Sequence, residues 1–220
     1  MLNYMQAQKQ VESLKNTGKW SKIPADEVIK RTIKALSDNN FSAEIVESAD
    51  EAKERVLSLI PLGAEVMVMT SKTLDTIGIT KEINESGKYD SVKEKLKKMD
   101  RNTQEVEMLK MGAAAEYAVG SVHAVSQDGH VLIASNSGSQ LPGYVYGSAN
   151  VIWVIGAQKI VKNVHEGFER INERALPMEA MRAHEAYGAE GSNISKLLIM
   201  NREPKPNRIK VLLVKEVFGF

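Results

Sequence analysis

The sequence predicts an α/β fold with a mostly parallel sheet, helices on both faces of that sheet and additional helices at the N-terminus. Two observations support this prediction. Short apolar runs alternate with longer amphipathic segments along most of the chain, and such alternation is typical of strands linked by covering helices. Several of the apolar runs are also nearly continuous, as expected for strands that are buried on both faces of a parallel sheet.

The length and composition are those of an ordinary folded domain. The chain has 220 residues, of which 43% are hydrophobic and 26% are charged, a mixture typical of soluble globular proteins. Lys and Arg together number 29, against 28 for Asp and Glu. Because the positive and negative charges nearly cancel, we expect no general attraction to nucleic acid or to a membrane surface.

Cysteine is absent from the sequence, which removes disulfides, cysteine-ligated zinc, iron–sulfur clusters and thiolate nucleophiles. The four histidines are not spaced as a metal-binding set. The sequence therefore predicts no metal site and no cofactor. The N-terminus lacks the apolar core of a signal peptide, and no run approaches the roughly 20 apolar residues of a spanning helix. We expect a cytoplasmic protein.

The first 40 residues predict a helical segment that packs on a main domain formed by residues 41–220. Residues 1–20 are compatible with a helix that Gly18 ends. Residues 21–36 predict a second helix, since Pro24 suits a first turn and a stripe of apolar residues follows at helical spacing. The role of the first helix cannot be inferred from its composition.

The next segments predict a strand, a helix and a second strand in succession. Alternation over residues 41–45 predicts a short strand, after which Ser48 can cap a helix. The apolar run at residues 64–69 predicts a buried strand, and the polar turn at residues 70–73 leads into a short helix. Residues 81–100 are Lys-rich, and we expect solvated helical segments that cover the sheet edge.

The middle of the chain predicts a helix followed by a hairpin. Residues 104–115 fit a helix, and Asp128-Gly129 is a strong hairpin signal. We therefore expect paired strands at residues 121–125 and 131–135.

The last third predicts one more buried strand and a mixed C-terminal part. Residues 151–155 form an apolar strand, and the turn at residues 156–159 leads into a helix predicted over residues 160–174. The remaining predictions are a helix at residues 178–187 and strands at residues 196–200 and 209–214.

Three segments, in this order along the chain, resemble the LUD domain family, which includes proteins of the lactate-utilisation protein C type. The first, residues 70–78, is a Ser/Thr-rich turn followed by Thr-Leu and a Gly. The second, residues 120–129, is a strand with an acidic-Gly turn. The third and most specific, residues 151–161, is an apolar strand followed by Gly-x-x-Lys-Ile-Val, and the family's Arg-Ile helix follows at residues 166–171. Residues 206–214 are similar to the final strand of the family. The resemblance covers residues 20 to 220.

This resemblance implies a fold of the NagB/RpiA/CoA-transferase-like group, with the ligand at the carboxyl ends of the strands. It also implies a part in the oxidation of L-lactate to pyruvate beside iron–sulfur protein partners. The chain departs from the family pattern at residues 136–140, where many relatives have a Gly-Asn-Arg segment. It also lacks the Cys-rich tract of longer family members.

Three polar turns follow predicted strands and are candidates for a binding site. The carboxyl ends of strands in an open α/β sheet share one crevice, where backbone N–H groups favour an anion. We therefore predict that a small anionic metabolite binds there. The alternative is that these turns only cap helices, as any α/β fold requires. The predicted ligand-binding residues are Thr70, Ser71, Lys72, Thr73, Asn136, Ser137, Gly138, Ser139, Gln140, Gly156 and Lys159.

Two residues are weak catalytic candidates. His123 lies in a predicted strand that leads to the crevice, and imidazole exchanges protons near neutral pH; a structural histidine is the alternative. Glu116 invites comparison with the glutamate of CoA transferases, although no matching motif surrounds it. The Gly-containing loop matches neither a Walker loop nor a dinucleotide fingerprint.

Several functions remain open from sequence alone. They are an anion-binding LUD protein, an autonomous transferase or isomerase, and a non-catalytic subunit that docks iron–sulfur proteins. Whether the protein acts on a substrate, and whether it forms a homo-oligomer, is also left open. Tyr144 and Tyr146 are candidates to wall the pocket, and Arg182 can reach a carboxylate or form a helical salt bridge.

Overall fold

The computed structural model describes every residue from Met1 to Phe220. The strands are β1 (Leu2–Asn3), β2 (Ser42–Val46), β3 (Glu65–Val68), β4 (Asp90–Ser91), β5 (Tyr117–Gly120), β6 (Ala124–Ser126), β7 (Val131–Ser135), β8 (Asn150–Gly156), β9 (Ile160–Val161), β10 (Gly191–Ser192), β11 (Lys196–Met200) and β12 (Ile209–Val214). The helices are α1 (Tyr4–Thr17), α2 (Asp26–Asp38), α3 (Ala49–Ser58), α4 (Lys72–Thr76), α5 (Ile79–Glu85), α6 (Val92–Leu96), α7 (Arg101–Ala113), α8 (Val164–Arg170) and α9 (Leu176–Tyr187). One π-helical turn, Gly143–Gly147, precedes β8, and another, Ile171–Ala175, joins α8 to α9.

Six strands form the central sheet in the order β2-β12-β8-β5-β3-β4. All of its strand pairs are parallel. The two long inner strands, β8 and β12, are buried almost throughout, because they pair on both edges and are covered on both faces. The prediction of an α/β fold with a mostly parallel sheet is therefore confirmed.

The two faces of this sheet pack against different layers. Along β8, Trp153 and Ile155 face a core that includes α2 and the strands β6 and β7. The intervening Ile152 and Val154 face a second core built with α3, α4 and α5. This division follows from the period of two in a strand, which sends successive side chains to opposite faces.

A second sheet of four strands, in the order β11-β7-β6-β9, was not foreseen from the sequence. The predicted hairpin forms its centre, since β6 and β7 are antiparallel with Val125 opposite Val131. Gly129 has a φ of 84° in the connecting turn, a conformation that glycine adopts without strain. The strand before this turn starts at Ala124, because residues 121–123 are the crossing from the central sheet to the second one.

Three more element predictions need correction, and β4 adds a short strand within the segment 81–100 that was predicted as helical. Residues 117–120 form β5, which the sequence analysis missed. Residues 160–161 form β9, paired with β6, so the helix predicted from residue 160 begins only at Val164, where the Asn163 side chain accepts a hydrogen bond from the Glu166 N–H. The second predicted helix begins at Asp26, so Pro24 lies before it.

The N-terminal segment is tied to the C-terminal half of the chain. Helix α1 ends at Gly18, whose φ is 64°, as predicted. Its buried residues Ala7, Val11 and Leu14 lie on the side where α1 packs against α9, and β1 pairs antiparallel with β10. No helix in the structure is both long and apolar enough to cross a membrane.

Candidate functional site

A cavity of about 270 Å³ lies where three neighbouring parallel strands end. Residues just after β3, β5 and β8 line it, as do residues after β7 in the second sheet. The carboxyl ends of parallel strands share one edge of a sheet, which is where α/β proteins usually place their ligands. The fold therefore supplies a concave site at the edge that the sequence predicted.

The inner wall of the cavity contains Lys159, which is only 1% exposed. Its Nζ donates hydrogen bonds to Thr73 Oγ1, Ser121 Oγ and the Val122 carbonyl oxygen, each at 3.1 Å. These partners come from the turns after β3 and β5, so Lys159 joins all three central strand ends. None of the partners is a carboxylate, and Lys159 forms no salt bridge in the structure.

A tight corner after β8 brings Lys159 to this position. Residues Ala157–Lys159 form a buried 3₁₀ turn, and Gln158 Nε2 donates to the Phe218 carbonyl oxygen at 2.8 Å. A Cβ atom on Gly156 would lie 2.9 Å from the Glu216 carbonyl oxygen and 2.2 Å from Gln158 Oε1, so the close backbone approach favours glycine there. Gly156 thus shapes the corner without reaching the cavity.

A fully buried arginine, Arg170, adds positive charge behind this wall, next to the partly exposed Arg174. Arg170 is fully buried; its Nη1 donates to the His123 carbonyl oxygen, while Nε and Nη2 have no partner. Burial lowers the pKa of Arg170 to about 9, and neighbouring Arg174 contributes to this shift. Burial also lowers the pKa of Lys159 well below its usual range, and Arg170 lowers it further. None of the hydrogen-bond partners of Lys159 and Arg170 is a carboxylate, so these basic groups have no counter-charge, and the lowered pKa values follow from that.

His123 lines the cavity beside this cluster. Its Nδ1 accepts a hydrogen bond from the Ala134 backbone N–H at 3.1 Å, so the neutral ring carries its proton on Nε2. Burial lowers the pKa of His123 to about 3, and the charges of Lys159 and Arg170 contribute. At neutral pH the imidazole is therefore an uncharged hydrogen-bond donor.

The turn after β3 supplies part of the rim. Thr70, Ser71, Lys72 and Thr73 all line the cavity. Ser71 also caps α4, since its Oγ accepts from the Leu74 N–H at 3.5 Å. The turn therefore caps a helix, as the alternative interpretation expects, and it also borders the cavity. Lys72 is exposed and forms no salt bridge, so its ammonium group is free to meet a ligand at the entrance.

The loop after β7 forms the opposite rim. Asn136, Ser137, Ser139 and Gln140 line the cavity, and the loop is held by its own hydrogen bonds, including Ser137 Oγ to Ser139 Oγ at 3.2 Å. Gly138 has a φ of 89° and packs against the Lys196 side chain, away from the lining. Nine of the eleven predicted ligand-binding residues thus lie around one cavity, and Gly138 and Gly156 serve its architecture.

Helix α9 forms the outer wall of the cavity. The sequence analysis named Arg182 but did not predict that the helix lines the site. Arg182 and Glu179 line the cavity and form a bidentate pair, with Nε to Oε2 and Nη2 to Oε1 both at 2.7 Å. The helical salt bridge expected as the alternative for Arg182 is therefore present, and it neutralises that cation. Tyr187, Asn193 and Phe220 complete this side.

Of the three remaining candidates, only Tyr144 lies at the cavity. Tyr144 is buried and lines the cavity, whereas Tyr146 is 90% exposed and does not. Glu116 is exposed and immediately precedes β5, at the opposite end of that strand from the cavity. The geometry gives Glu116 no access to a ligand held there. Arg170 and Ser121 belong to the segments that resemble the family, but the sequence did not indicate a role at the site for either, because that role depends on packing between distant segments.

Together, the fold and the site define an α/β protein with a basic, hydroxyl-lined cavity at the carboxyl edge of a parallel sheet. The chain belongs to the LUD domain family, since the model of that family matches residues 29–214.

Comparison with solved structures shows a protein with a similar fold. The crystal structure of a DUF162 family protein from Deinococcus radiodurans, at 1.70 Å resolution, matches with a TM-score of 0.53 and 12% sequence identity. The match covers 87% of this chain and 99% of the other chain. At this identity the likeness concerns the fold alone. A search among curated proteins found no match to the chain.

Proposed function

We propose that the protein binds a small anionic metabolite in this cavity. The observation that supports the proposal best is the buried pair of Lys159 and Arg170, which has no carboxylate partner and lies next to the partly buried Arg174. Burying a cation without a counter-charge is costly. A bound anion supplies the missing charge, so the folded protein gains stability when the ligand enters.

The lining favours an anion of modest size and charge. Lys159 places a positive charge at the inner wall, the Nε2–H group of His123 is a donor there, and Ser121 adds a hydroxyl. Arg182 contributes little net charge because Glu179 already pairs with it. We therefore favour a small carboxylate or a single phosphate group over a polyphosphate.

Membership of the LUD domain family supports a role in the use of lactate or related organic acids. Iron–sulfur protein partners and a cytoplasmic location belong to the same proposal. The geometry is less favourable to an isomerase or transferase that uses His123 as its base. The low pKa of His123 and its acceptor Nδ1 suit a hydrogen-bond donor better than a proton acceptor.

Calorimetry can test the proposal with lactate, pyruvate, inorganic phosphate, a sugar phosphate and coenzyme A as ligands. We expect at least one of them to bind. Lys159→Met should weaken that binding by roughly 10- to 100-fold, because it removes the positive charge at the inner wall, and interactions with charged groups are of this size. Lys162→Met is the matched control, because Lys162 is exposed and three residues away.

Circular dichroism should accompany each titration to establish that the protein is folded. If folded wild-type protein bound none of these ligands, or if the Lys162 variant lost as much affinity as the Lys159 variant, the proposal would be wrong.

A further inference from the structure

The environment of Lys159 suits a neutral amine as well as an ammonium group. Thr73 and Ser121 each present a hydroxyl at 3.1 Å from Nζ, and a hydroxyl can donate or accept. The third partner, the Val122 carbonyl oxygen, accepts only. With two N–H groups directed to acceptors and one hydroxyl donating to nitrogen, the same geometry holds an uncharged amine.

We propose that Lys159 forms an imine with the carbonyl carbon of a small 2-oxo acid bound in the cavity. This inference rests on the proposed anion site and names both its substrate class and the residue that reacts. It goes further than anion binding, because it requires a covalent bond to the protein.

The surroundings of Lys159 favour the nucleophilic form of the amine. An ammonium group cannot attack a carbonyl carbon, so an imine-forming lysine must lose its proton near neutral pH. Burial and the nearby guanidinium of Arg170 both lower the pKa of Lys159. No carboxylate binds Nζ, and so none stabilises the charged form. The buried, unpaired lysine that is costly as a cation is thus well placed as a nucleophile.

The substrate class follows from the two chemistries that the cavity combines. A nucleophilic amine selects an aldehyde or ketone, and the donors around it select an anion. A 2-oxo acid carries both groups on adjacent carbons. The Nε2–H group of His123 can donate to the carboxylate while Lys159 meets the carbonyl carbon. The cavity of about 270 Å³ accommodates an acid of a few carbons.

The reaction balances with groups that are present. The lone pair of Nζ attacks the carbonyl carbon, and the π electrons of the C=O bond move to oxygen, which takes a proton. One amine proton passes through the hydroxyl of Ser121 or Thr73, and the product is a carbinolamine. Loss of the second nitrogen proton and the hydroxyl group then releases one water and leaves the C=N bond. No oxidant or reductant is required.

Reductive trapping of the full-length wild-type protein tests this step. The protein is incubated with pyruvate or glyoxylate and sodium cyanoborohydride, and its mass is measured before and after proteolysis. We expect one adduct per chain, located on the peptide that contains Lys159. Lactate, which lacks a carbonyl group, should give none, and acetone, which lacks a carboxylate, should give much less.

The exposed residues Lys110 and Lys162, which lie outside the cavity lining, serve as internal references for nonspecific reaction. Adducts that spread evenly over these lysines, or a folded protein without any adduct, would overturn the proposal. Lys159→Arg keeps a cation but removes the nucleophile, and it should abolish the specific adduct.

Calorimetry separates this inference from the proposed function. Binding of pyruvate and lactate without an adduct would refute the imine and leave the anion site intact. If folded protein bound neither acid nor any other anion of the panel, both proposals would fail.

Discussion

At the scale of single residues, a few side chains set the electrostatic character of the cavity. His123 and Lys159 lie at its inner wall, and Arg170 lies directly behind it. Each has a pKa below its usual value because folding buries it among other basic groups. Folding therefore disfavours their protonated forms, which makes stability depend on pH.

His123 gives a prediction with a definite sign. Its pKa is 6.5 in an unperturbed chain and about 3 in the folded protein. Between these pH values His123 binds a proton in the unfolded chain but not in the folded protein, so a lower pH favours unfolding. We expect His123 to lower the free energy of unfolding by at most about 1.4 kcal/mol per pH unit as the pH falls through this window.

Urea titrations at a series of pH values can measure this contribution. His123→Asn should flatten the dependence, because the Asn oxygen can still accept the Ala134 N–H and does not titrate. His165→Asn, at a side chain that is 85% exposed, is the control. Equal slopes for wild type and the His123 variant would show that this residue does not contribute.

The sequence identified Lys159 and His123 as candidates but could not give the reason for either. Lys159 was chosen as part of a polar turn, whereas the structure has a buried corner. Arg170 lacks a carboxylate partner because of the way α8 packs against the second sheet, and no local sequence pattern predicts that packing. Glu116 was a candidate by analogy alone, and the direction of β5 places it at the wrong end.

At the scale of elements, Arg208 holds the π-helical turn that carries Tyr144. Its guanidinium donates to the carbonyl oxygens of Tyr144, Val145 and Ser148 at 2.6, 3.1 and 3.0 Å. It also pairs with Glu203 at 2.8 Å, and both side chains are almost fully buried. One residue therefore satisfies carbonyl groups that the irregular turn leaves open.

Arg208→Met should lower the free energy of unfolding by about 3–5 kcal/mol, because Glu203 would remain as a buried, unpaired carboxylate. Arg55→Met is the control, since Arg55 pairs with Glu44 on the surface and such pairs contribute less than about 1 kcal/mol. Chemical denaturation measures both changes. A loss for the Arg208 variant no greater than for the Arg55 variant would contradict this account.

Elements with clear local signals were predicted well, and those defined by distant partners were not. The hairpin at Gly129 and the end of α1 at Gly18 depend on left-handed glycines, which the sequence displays. Strand β5 follows an Ala-rich stretch that has high helix propensity, yet it pairs with β3 and β8. Strand β9 likewise depends on β6, more than thirty residues away.

At the scale of the whole molecule, the N-terminal segment supports the outer wall of the cavity from outside the LUD match. The rings of Tyr4 and His184 stack with their centroids 4.0 Å apart, and Trp20 Nε1 donates to Glu173 at 2.9 Å. Strand β1 pairs with β10, just before Asn193 of the lining. Helix α9 and residues 188–195 therefore depend on residues 1–20 for their position.

Deleting residues 1–20 should leave the central sheet folded, because neither large core contains any of these residues. We expect faster hydrogen exchange over residues 176–195 and weaker anion binding. Gly191→Ala tests the same link in the intact chain, since its Cβ would lie 2.0 Å from the Leu2 carbonyl oxygen. Unchanged exchange and affinity in both variants would show that the segment does not support the site.

The contact between Tyr144 and Trp153 gives the protein an intrinsic optical signal. The phenol ring meets the buried indole edge-on at 5.4 Å, and its hydroxyl donates to the Ser121 carbonyl oxygen at 3.4 Å. A ligand in the cavity contacts Tyr144, which in turn contacts Trp153, so we expect binding to alter the surroundings of the Trp153 indole. The chain has only two tryptophans, and Trp20 does not line the cavity, so a change in emission on occupancy is expected chiefly from Trp153 and needs no added dye.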